Sequence, residues 1–160
     1  MTIETTAAEV LDNKPEEKRE INFYQVSDEI VKAIAPLMIK MLKDDKKAFI
    51  YTQSHDRISE LDRVLWSYGR NTFIPHVTIF EKDFDFKRQP IVISNEEDNI
   101  NEADYLVFLD EPSAEFIAEF SRVFYFFLES DVAIARKAIK RIKPTNLYKK
   151  LSDKWIRVDV

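Results

Sequence analysis

INFYQVSDEIVKAIAPLMIKM, residues 21–41, is the stretch whose reading decides the fold. Its first six residues are rich in β-branched and aromatic side chains, the composition of a strand. The apolar positions then change period. Ile30, Ile34, Leu37, Met38 and Met41 recur at three- and four-residue intervals and mark one face of a helix. Ser27 and Asp28 between the two are expected to cap that helix, and Pro36 inside it to kink or split it. A strand running through a short turn into a helix is the opening unit of an α/β domain.

The turn also excludes a function. A phosphate cradle needs glycines, so that backbone N–H groups can approach the phosphate without an intervening Cβ. Here the turn reads QVSDE, with no glycine and two carboxylates that repel phosphate. The chain's single glycine, Gly69, follows the second helix and is expected as its left-handed C-terminal cap. No P-loop and no dinucleotide fingerprint can be written, so no cofactor is expected.

The same alternation continues outward. KAFIYTQ reads as a strand, and SHDRISELDRVLWSY as a helix with Ser54 as its cap. VTIF, PIVIS and DYLVFLD read as further strands, with the acidic loop NEEDNINEA before the last. A third helix is expected near Pro112, the aromatic run RVFYFF as a strand, and DVAIARKAIKRIK as an amphipathic helix stopped by Pro144. NLYKKLSDKWIRV closes as a short extended pair. The expected fold is a single α/β domain over residues 21–160, a mainly parallel sheet flanked by helices with no nucleotide-binding glycine loop. Residues 1–20 lack hydrophobic period and are expected as a flexible acidic extension.

Composition narrows the chemistry. The absence of cysteine removes disulfides, thiol nucleophiles and thiolate metal sites. No basic-then-apolar leader and no apolar run of about 20 residues is present, so a cytoplasmic protein without membrane contact is expected. Neither histidine has a companion at metal-ligand spacing. His76, after Pro75, is expected to be a bonded, half-buried structural residue, and Asp110 to cap the helix that follows it. A degenerate α/β enzyme would have to rely on His76 or Asp110.

Two surfaces look like docking sites. On the helix Ile58–Tyr68, Trp66 falls about 140° from the centre of the apolar stripe. With Phe73 and Pro75 it describes an aromatic patch for a protein partner, unless the loop 68–76 folds back over the indole. The second surface is basic. Residues 136–160 hold nine Lys/Arg and two Asp, leaving 15 basic and 27 acidic residues elsewhere, a split of +7 against −12. Arg136, Lys140 and Lys143 share one flank of the last helix, with Ile139 at their border. That is either an ordinary solvated face or a site for an acidic peptide with a hydrophobic end. A direct single-stranded nucleic-acid binder would use the same cations, against the repulsion of an acidic body.

Taken in order, INFY, LDRVLWSYGRNTFIPH, PIVIS, DYLVFLD and RVFYFF followed by DVAIARKAIK resemble the chi subunit of bacterial DNA polymerase III holoenzyme, from about Ile21 to Val158. The resemblance implies a Rossmann-like sheet that binds no nucleotide, in a non-catalytic replication adaptor between two partners. It implies that the segment from Trp66 to His76, with Phe73 and Pro75, faces the psi subunit of the clamp-loader assembly, a face that can also take a helicase-type partner. It further implies that Arg136, Lys140 and Lys143 receive the acidic C-terminal tail of single-stranded-DNA-binding protein, with Phe127 as an apolar wall. Ile139 stands where the family often has an aromatic. The extension Met1–Glu20 has no counterpart in the family, and the segment after Pro144, with Leu147 and Trp155, departs from its pattern.

Overall fold

The computed structural model describes residues 19–151 and 154–158. The expected extension lies outside them except for Arg19 and Glu20, and Glu20 opens the first strand. Eight strands form one sheet: β1 Glu20–Val26, β2 Ala48–Tyr51, β3 Val77–Thr78, β4 Ile91–Ser94, β5 Tyr105–Phe108, β6 Arg122–Leu128, β7 Asn146–Leu151 and β8 Lys154–Val158. Their order across the sheet is β3-β4-β2-β5-β6-β1-β7-β8. Every pairing is parallel except β7 with β8, the terminal antiparallel pair. The helices are α1 Ile30–Lys43, α2 His55–Ser67, the short α3 Ala114–Ile117 and α4 Val132–Ile142. The α/β class, the parallel sheet and the closing extended pair agree with the sequence reading.

Alternating side chains divide the core into two layers. Ala48, Ile50, Phe124 and Phe126 point to the side covered by α1 and α2, whose Ile34, Met38, Leu61 and Leu65 fill it. Phe49, Phe23, Tyr125 and Phe127 point to the other side, under α3 and α4. Central strands covered on both faces read as continuous apolar runs, which is why PIVIS and DYLVFLD were legible.

Three local expectations are corrected. Neither Ser27 nor Asp28 caps α1. Glu29 takes that position in a left-handed conformation with no side-chain capping bond, and its carbonyl accepts from Ala33 N–H. Pro36 does not split the helix, which runs unbroken from Ile30 to Lys43. The proline is on the exposed face, so the Lys32 carbonyl that it leaves unpaired is turned to water. Gly69 is left-handed, with φ 68°, but Tyr68 before it is already extended. Gly69 therefore reverses the chain after the helix has ended and is not its cap. Ser54 caps α2 as expected, accepting from Arg57 N–H at 3.1 Å.

Candidate functional site

The first surface forms at the β3 end of the sheet. Asp62 and Trp66 are one turn apart on α2, off its buried face, and the loop 68–76 returns beneath them. His76 is buried there. Its Nδ1 meets the Ile74 carbonyl at 2.7 Å and its Nε2 meets Asp62 Oδ1 at 2.9 Å. The imidazole supports the Trp66 indole, with ring centroids 4.5 Å apart, and Phe73 lies 5.7 Å from the same indole. The loop thus props the indole up without covering it. Trp66 remains 53% exposed and Phe73 69%. The structure brings Trp66, Phe73 and His76 into one patch, with Pro75 half-buried in the loop between them.

The second surface is on α4. Ala135 and Ala138 are buried against the sheet, and Ile139 and Ile142 pack at the margin of that core. At about 100° per residue, Arg141 and Ile134 fall on one flank, and Arg136, Lys140 and Lys143 on the opposite one. Arg141 points toward β5, because its guanidinium pairs with both oxygens of Glu111 just beyond that strand. The Arg136–Lys140 flank therefore looks toward β7 and β8. All three of its cations are exposed, and among the described residues none has a carboxylate within ion-pair distance. Lys143 ends the helix in a left-handed conformation, φ 58°.

Phe127 is not placed beside these cations as an open wall. It is 3% exposed, packed edge-on to Phe23 at 6.3 Å, and it borders a crevice on the opposite flank, next to Ile134. That crevice, about 280 Å³, lies at the C-terminal edge of β2, β5 and β6, where open α/β sheets bind ligands. Here it is lined by Asp110, Glu111 and Asp131, with Arg57 as a cation. Asp110 does not cap α3; Ser113 does, accepting from Phe116 N–H at 3.2 Å. Asp110 instead accepts from the Thr52 hydroxyl at 2.6 Å and from Gln53 N–H at 2.9 Å, so its carboxylate ties β5 to the start of α2. Burial, then the Glu111 and Asp110 carboxylates, push the Tyr125 phenol up to about 12. An anion entering this crevice meets carboxylates where a nucleotide site would offer N–H groups. His76 precedes β3 and Asp110 follows β5, so they stand at opposite edges of the parallel sheet and cannot share a reaction centre.

Sequence reasoning missed the surface next to the basic flank. Phe23 aligns with Leu147, and both belong to the α4-side core. By alternation Lys149 then shares that face, as do Ile156 and Val158, which pair with Lys149 and Leu147. Ile156 is 44% exposed and Val158 37%. The opposite face of the hairpin is filled by Tyr24, stacked on Phe126 at 4.8 Å and Tyr148 at 5.1 Å, with Trp155 edge-on at 5.1 Å. The alternation Lys154, Ile156, Val158 was the available signal; which face stays open depends on where α4 lies.

No described helix is long and apolar enough to cross a membrane, and no described group of three or more His, Cys, Asp or Glu is arranged to hold a metal ion. Comparison with known proteins gives one family. The model of the DNA polymerase III chi subunit, HolC, matches residues 19–147. A probable DNA polymerase III subunit chi of Rickettsia prowazekii (strain Madrid E) is 34% identical over 92 residues, 57% of this chain and 54% of the relative. The chain thus matches about half the length of that curated relative. The family match stops at residue 147, short of the Val158 to which the sequence resemblance was drawn, and leaves most of β7 and all of β8 outside it.

Proposed function

The chain belongs to the DNA polymerase III chi subunit family, and from that premise we propose that it is a non-catalytic replication adaptor. In this reading the Trp66–Phe73 patch docks the psi subunit of the clamp-loader assembly, and can alternatively take a helicase. Arg136, Lys140 and Lys143, beside Ile139, take the acidic C-terminal tail of single-stranded-DNA-binding protein.

The observation that carries the reading is the separation of two chemically unlike surfaces. The aromatic patch is at the β3 end on the α2 side, and the basic flank faces the β8 end on the α4 side. Seven strand spacings of about 4.8 Å separate the two ends, roughly 34 Å. Two partners can therefore be bound at once without touching. An aromatic patch with few charges suits a lasting interface. Exposed cations give a weak, salt-sensitive contact that steers an acidic tail, with burial of one terminal phenyl adding affinity. Several tails on one coated strand would then raise the overall strength by avidity.

Fluorescence anisotropy with a labelled acidic peptide ending in phenylalanine, beside the same peptide lacking that residue, tests the tail site. Saturable binding is expected for the first only, weakening with salt and lost in Arg136→Ala with Lys140→Ala. Equal binding of both peptides, or of neither, overturns the assignment. Tight binding of free single-stranded DNA with a steep salt slope would favour the nucleic-acid reading.

A further inference from the structure

The α4-side face of β7 and β8 is an open trough beside α4, basic next to the helix and apolar toward the edge of the sheet. Arg136, Lys140 and Lys143 form the α4 side, and Lys149 on β7 adjoins them. Ile156 and Val158, on the outermost strand β8, supply exposed apolar surface beyond Lys149. No helix follows β8 to cover it among the described residues.

The rest of the chain contains a segment of matching chemistry. Residues 1–18 carry five carboxylates, Glu4, Glu9, Asp12, Glu16 and Glu17, against Lys14 and Lys18. Within them Glu9-Val10-Leu11-Asp12 places two apolar side chains between two acids. The segment joins the fold at the C-terminal end of α4, across the helix from the trough. Arg19 donates from Nη2 to the Ile117 carbonyl at 2.6 Å, and it lines a small cleft with Arg141 and Ile142 at the C-terminal end of α4. Eighteen residues reach up to about 60 Å when extended, whereas α4, with 11 residues, spans only about 16 Å. Reach imposes no restriction.

We propose that residues 1–18 dock in this trough, as an occupant tethered to the site it covers. Charge complementarity selects the trough over the acidic crevice on the other flank of α4. One consequence rests on the function proposed above. An acidic tail arriving at Arg136 and Lys140 must displace the segment, which makes the N-terminus a competitive brake on tail binding. A tether of this length gives an effective concentration of about 1 mM; against a dissociation constant of a few hundred micromolar, binding of the outside peptide weakens roughly three- to tenfold.

The chain lacks cysteine, so Thr6→Cys offers a single position for a nitroxide label in the full-length protein. Paramagnetic broadening of amide signals is expected at residues 136–143, 149 and 154–158, receding in 0.5 M salt and in Lys140→Glu with Lys143→Glu. Broadening that is absent, spread evenly, or unmoved by charge reversal overturns the proposal. Broadening that grows with protein concentration overturns it too, since the occupant is then a second copy. Separately, removal of residues 1–18, and Glu4→Gln, Glu9→Gln, Asp12→Asn, Glu16→Gln and Glu17→Gln together, should each tighten the acidic peptide by the same factor at low salt. Local broadening with no peptide binding in either form leaves the docked segment standing and removes the tail-binding function instead.

Discussion

The two ends of the sheet both expose apolar side chains, on very different supports. At the β3 end, Trp66 and Phe73 rest on a buried imidazole that is itself bonded to Ile74 and Asp62. At the β8 end, Ile156 and Val158 belong to the outermost strand, which pairs with β7 alone. The first patch is held in one shape by buried polar contacts from two elements. The second is held by one strand ladder and by Trp155 packed on Tyr24. A pre-shaped patch suits a partner that stays, and a lightly anchored trough suits one that comes and goes.

The contrast can be broken or sharpened by substitution. Phe23→Ala should abolish it altogether. The ring is wholly buried on β1 and packs edge-on to Tyr125 at 5.0 Å. Its loss should cost about 3–5 kcal/mol in denaturant unfolding and weaken both ends together. His76→Ala removes the prop under Trp66 and leaves the Ile74 carbonyl unpaired, for about 2 kcal/mol. Trp66 emission should shift while the basic end keeps its affinity for acidic peptide; an unchanged emission spectrum would show that the indole does not depend on His76.

Trp155→Ala tests the other support. Its indole is 36% exposed, so the cost should be smaller, roughly 1–1.5 kcal/mol. Hydrogen exchange should accelerate in β7 and β8 and not around β3. If protection falls throughout the sheet, the hairpin is no separate unit.

pH sharpens the same contrast. Burial pushes the Tyr24 phenol, against the hairpin, and the Tyr125 phenol, at the crevice, each up to about 12. Their folded values lie above the unfolded one, so this stabilisation is complete below pH 10 and is lost as pH rises from about 10 to about 12. Tyr24→Phe should make that alkaline loss shallower, with the hairpin retained. The Glu20 carboxyl is held below its ordinary range by the Asn22 side chain and by Arg122, so its contribution is present near neutrality and fades as pH falls through the folded value. Smallest of all, Lys140→Ala should change stability by less than about 0.5 kcal/mol, since the side chain is exposed, while weakening acidic-peptide binding.

The sequence made legible whatever depends on neighbours along the chain. Strand runs such as PIVIS, the Ser54 cap and the outward phase of Trp66 all follow from local period and short hydrogen bonds. What depends on distant pairing was not legible. Asp110 is bound by Thr52, 58 residues away, and no local pattern separates that role from helix capping. His76 reaches Asp62 across 14 residues; the i, i+4 spacing of Asp62 and Trp66 was the one clue that a single ring could touch both. The burial of Phe127 follows from where α4 crosses β6, and the open face of the hairpin from where α4 stops short of β8.

The position of β1 has a consequence for how the chain assembles. The first strand lies between β6 and β7, and its partners begin 102 and 124 residues later. β2, β4 and β5 can pair as soon as they are made, but β1 must wait for almost the whole chain, with Phe23 and Tyr24 unsatisfied in the meantime. Closing so long a loop is slow relative to local contacts. Insertion of the first strand is therefore expected late in folding, and the β8 end, which hangs from β1 through β7, can dock on the sheet only after it.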